Sequence, residues 1–131
     1  MIWGAANEWS AVAAYNRLAE LEKHPVLAVL LKRIAKQEAK HVAFYATQAR
    51  ERLGNSKKAR VIARFALKKA WGPVGSSVME PEEVTHVMGH LFSGEEGMRE
   101  IRKLDDHISR MPGLEGLEIV ETAMKKYGVA A

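Results

Sequence analysis

Residues 25–53 read PVLAVLLKRIAKQEAKHVAFYATQARERL. Leu27, Leu30, Leu31, Ile34, Tyr45 and Ala49 recur at three- and four-residue spacings. At about 100° per residue, this lays them along one stripe of an α-helix. Lys32, Arg33, Lys36 and Lys40 fall on the opposite side. Pro25 suits a first helical position, and Gly54-Asn55 is a stop signal, so one long helix is expected from Pro25 to about Leu53. Two residues of the wrong polarity, Glu38 and His41, stand inside its apolar stripe. A carboxylate turned toward a core is costly unless it is paired, protonated or bound to a metal.

Upstream, a first helix is expected over residues 4–23, broken by His24-Pro25. It repeats the anomaly, because Glu8 shares a face with Val12, Tyr15, Leu18 and Ala19. If the chain folds back at His24-Pro25 as an antiparallel hairpin, Glu8 lies 16 residues before the turn, and Glu38 and His41 lie 14 and 17 residues after it. At the rise of an α-helix those positions are roughly 24, 21 and 26 Å from the turn. Glu8 therefore comes level with the gap between the other two.

Downstream, Ser56 can cap a third helix that ends at Gly72-Pro73, with a loop to Met79. Pro81 with Glu82 and Glu83 opens a fourth helix that stops near Ser93-Gly94. Glu95 and Glu96 open a fifth, ending at Met111-Pro112-Gly113, and a last helix is expected over residues 114–127. Ala, Leu, Glu, Lys and Arg dominate, and no apolar–polar alternation suggests a strand. The fold class is all-α: a long antiparallel helix pair over 1–54, then shorter helices over 55–131, as one domain or half-domain.

The 131 residues suffice for one domain with a core of its own. Zero cysteines exclude thiol catalysis, disulfides, Cys-ligated zinc and iron–sulfur clusters. Apolar runs such as Pro25–Leu31 fall well short of the roughly 18 residues of a membrane span. The N-terminus has no basic segment ahead of an apolar one, so a cytoplasmic protein without a signal peptide is expected. The net charge of +4 is unevenly spread. Between Arg50 and Lys69 eight basic residues face one acid, Glu51, whereas residues 80–121 lean acidic.

Glu38-x-x-His41 places a carboxylate and an imidazole one helical turn apart, able to grip one ion. Fourteen glutamates and five histidines make one such match unremarkable by chance, and Glu83-x-x-His86 is a second. Register separates the two. Glu8 meets the first match, whereas the helix before the second is basic from Lys57 to Lys69 and has no glutamate. Carboxylates with imidazole and no sulfur suit iron or manganese. Tyr15 and Tyr45 are candidate hydrogen-bonding neighbours of such a centre. The plainer reading is a polar core cluster, with Glu8 and Glu38 accepting hydrogen bonds from His41, Tyr15 or Arg52.

Glu8, thirty residues before Glu38-x-x-His41 on a helical hairpin, resembles one half of the di-iron site of the ferritin-like superfamily. Residues 5–53 carry that resemblance. The remainder, including His90-Leu91-Phe92-Ser93-Gly94, resembles the C-terminal part of uncharacterised bacterial ferritin-like domain proteins, some of them desaturase-like. The resemblance implies metal ligands Glu8, Glu38 and His41, two iron ions per complete site, and oxygen-dependent oxidation of iron or an organic substrate. A complete site of that family takes two hairpins, and one is present here. A homodimer or an absent N-terminal hairpin would supply the other half, so a homo-oligomer is expected. The alternative is a non-catalytic module in which the basic helix from Lys57 to Lys69, with Val61, Ile62, Phe65 and Leu67 as its apolar side, binds an acidic partner, nucleic acid or an anionic membrane. No nucleic acid is expected as a partner, since no nucleic-acid fold signature accompanies that helix and Phe65 and Trp71 are not arranged as a stacking platform.

Overall fold

The computed structural model describes residues 1–129. Its elements are α1 (Ile2–Leu21), α2 (Pro25–Asn55), α3 (Lys57–Ala70), α4 (Pro81–Phe92), α5 (Gly94–Ser109) and α6 (Ile119–Lys125), with no strand among the described residues. The all-α expectation holds. No described helix is long and apolar enough to cross a membrane.

Local signals explain most boundaries. Pro25 opens α2 as its first residue. The Ser56 hydroxyl accepts the Ala59 N–H at 3.1 Å and starts α3. Glu80 and Glu83 form a reciprocal capping box ahead of α4. The last helix differs from expectation, beginning at Ile119 rather than Leu114. Gly113 and Gly116 have φ of 81° and 72°, a left-handed backbone that glycine adopts without strain. The two turns they make drive Leu114 and Leu117 into the core without a helix.

α1 and α2 pair along their lengths as the expected hairpin, and α1 also touches α3, α4 and α5. Its central position follows from small residues: Ala5, Ala6, Ala13 and Ala19 are all buried. On one side of α1 lies the main core, where Phe92, Leu67, Ile101, Ile108, Met111, Leu114, Val84 and Val120 are the largest fully buried side chains. Arg17 pins α1 to this layer. Its guanidinium is buried, and Nε donates to the Leu91 carbonyl at 3.0 Å, satisfying one of the last carbonyls of α4. Trp9 stacks on His107 of α5, with ring centroids 5.5 Å apart.

α2 packs along α1 and meets α3. Much of its remaining surface is bare, with Val26 69 %, Leu30 51 % and Phe44 58 % exposed.

Candidate metal centre

Glu8 projects from α1, and Glu38 and His41 project from α2. One ligand atom from each lies within 4.8 Å of the other two. The Nδ1 of His41 is 2.7 Å from Oε2 of Glu38 and 4.0 Å from Oε2 of Glu8. Helical periodicity brings Glu38 and His41 together, and the hairpin register brings Glu8 to them. Both glutamates are about three-quarters buried, whereas the His41 side chain is 60 % exposed. An inward His41 was expected. It stands instead on the rim, because nothing in the described chain covers that flank of α2.

The electrostatics are those of a site short of positive charge. Partial burial raises the Glu8 carboxyl above the ordinary carboxylate range, and its hydrogen bond to Glu38 and the negative charge of Glu38 raise it further. His41 pulls the other way with a smaller effect. Two carboxylates this close resist ionising together, and a cation between them would relieve that conflict. The donor set, two carboxylates and one imidazole without sulfur, fits a hard or borderline ion such as iron or manganese.

The tyrosines divide. Tyr45, one turn beyond His41, lies across Gly4 of α1, where an added Cβ would come within 2.8 Å of its ring. Gly4 stands one turn before Glu8 on α1, so this close approach holds the two helices together beside the site. A glycine in an alanine-rich helix was the only sequence signal for it. Tyr15 lines a separate apolar cavity of about 220 Å³, shared with Val87, Met88, Leu91, Phe92 and Leu104. Neither tyrosine hydroxyl hydrogen-bonds to the cluster among the described residues.

Other sequence candidates do not converge. Glu83 and His86 are both exposed and join no carboxylate–histidine group among the described residues. Glu83 instead accepts the backbone N–H of Glu80. Arg52 is exposed on the last turn of α2. A groove of about 890 Å³ along Glu95, Met98, Arg102 and Asp106 of α5 contains none of the three ligands.

Comparison with known protein families, with curated proteins and with solved structures gives no match. The geometry of this chain is therefore what defines the class: an all-helical protein whose N-terminal hairpin carries a carboxylate–histidine cluster on an open flank.

Proposed function

We propose that Glu8, Glu38 and His41 form one half of a carboxylate-bridged di-iron site, or an iron–manganese one. In this reading a second copy of the chain supplies the other half. The observation that carries it is the convergence of three ligand-type atoms within 4.8 Å, on helices whose register alone had brought the same residues level. The exposed His41 and the bare apolar residues beside it support completion by another hairpin, since closed two-fold symmetry places like faces together. Two metal ions held there would supply dioxygen chemistry, directed at iron itself or at an organic substrate.

The chain's own residues have distinct parts in this reading. Glu38 contacts both His41 and Glu8 and would be the bridging ligand. Partial burial and the neighbouring Glu38 raise the pKa of Glu8, and a cation held beside it would favour its ionised form. Tyr45 on Gly4 fixes the spacing of α1 and α2 at the level of the ligands.

Elemental analysis and light scattering on one sample test the proposal. About one iron or manganese per chain in a dimer is expected for a complete site shared by two copies. Glu38→Ala abolishes tight metal binding, whereas Glu83→Ala leaves it unchanged. Equal metal content in both variants overturns the assignment.

A further inference from the structure

α3 has two faces that do different work. Ala59, Ala63 and Leu67, four residues apart, meet the core. The side turned away from the core carries Val61, Ile62 and Phe65, which are 69 %, 56 % and 66 % exposed. These three had been expected to share a side with Leu67, and the structure separates them from it. Around them lie Lys57, Lys58, Lys68 and Lys69, all exposed. α3 contains no acidic residue, and no carboxylate pairs with these lysines among the described residues.

The arginines of the same helix are committed elsewhere. Arg60 turns back to the end of α2, its Nε donating to the Leu53 carbonyl at 2.6 Å and its Nη2 to the Gly54 carbonyl at 2.7 Å. Arg64 donates to the carbonyls of Gly113 and Glu115 at 3.2 and 3.0 Å. The arginines thus hold α3 in place, and the outward face is left with lysine and hydrocarbon only.

We propose that this outward face of α3 docks on an anionic lipid bilayer. Val61, Ile62 and Phe65 enter the boundary between headgroups and acyl chains, while the four lysines extend along them to lipid phosphates. The composition selects this occupant. A second copy would set four lysines against four. Nucleic acid gains nothing from an exposed valine and isoleucine, and the residues best suited to phosphate forks, Arg60 and Arg64, point away from this face. An acidic protein could meet the lysines, but a lipid surface meets both the charge and the apolar ridge between them.

The proposal is independent of the metal site, and vesicle co-sedimentation of the purified full chain tests it. Vesicles of phosphatidylcholine alone are compared with vesicles that also contain phosphatidylglycerol. Sedimentation with the anionic vesicles is expected, falling with added salt. Lys58→Glu with Lys69→Glu weakens it by at least about fivefold per lysine. Ile62→Ser with Phe65→Ser weakens it by about tenfold or more. All four side chains face solvent, so thermal melts and metal content stay at wild-type values. Failure to sediment at low salt overturns the proposal. So does anionic binding that survives Ile62→Ser with Phe65→Ser, the behaviour of a general polyanion binder or of a face made for an acidic protein.

Discussion

Asp105 shows how one buried carboxyl ties two elements together. From the C-terminal half of α5 it accepts the N–H of Val120 at 2.8 Å and of Glu121 at 2.9 Å, covering the start of α6. Those bonds favour the ionised form. Burial outweighs them and, with the nearby charges of Glu118 and Glu121, pushes Asp105 up to about 6. The sign for stability follows from linkage. Below the unfolded value of 3.8, both states are protonated. As pH rises from there to about 6, the unfolded chain releases a proton that the folded state retains, so stability falls; above about 6 the loss is complete. The wild-type protein should lose about 2 kcal/mol over that window from this residue. Asp105→Asn does not titrate, so its deficit relative to wild type narrows as pH rises. Urea unfolding of both proteins at pH 4 and pH 7 checks this, and a constant deficit would refute it.

Among the elements, α1 is tied to the C-terminal layer by one buried charged side chain. Arg17 crosses from the hairpin to the C-terminal layer, and its buried guanidinium serves the last turn of α4. Its partners Glu20 and Glu96 are largely exposed and add little. Arg17→Met keeps much of the volume but strands the Leu91 carbonyl. A loss of about 2 kcal/mol is expected, read as a lower urea midpoint. Helices were the most legible part of the sequence, because proline, serine and glutamate at their starts act through local hydrogen bonds. The segment 114–118 misled because Leu114 and Leu117 have helical spacing, while the two glycines that break the helix act through the backbone. The outward turn of Phe65 was not legible either. Ala59 and Ala63 make the inner contacts of α3, and alanine gives a weak directional signal beside valine and phenylalanine.

For the whole molecule, the hairpin register was legible as arithmetic on the turn, and the structure brings the same three residues within reach of one another. The exposure of His41 was not, since it depends on what covers α2 rather than on α2 itself. That uncovered flank makes a prediction about assembly. Phe44 is 58 % exposed and close in sequence to His41. In the proposed dimer, Phe44→Glu buries a charge at the contact and weakens association by about 2 kcal/mol or more. The folded monomer should change by less than about 0.5 kcal/mol, as for other surface substitutions. Light scattering at matched concentrations reads the first effect, and a thermal melt reads the second. A variant with wild-type mass would rule out this flank as the contact.

The placement of His41 at an open edge also bears on mixtures of chains. If each working centre draws on two copies, metal loading depends on protein concentration as a second-order process. Dilution then empties centres that no chelator has touched. A copy with Glu38→Ala would not merely be inert: paired at random with intact copies, it would spoil their centres too, and loaded sites would decline as the square of the intact fraction. A protein that kept its ligands within one chain would decline only in proportion.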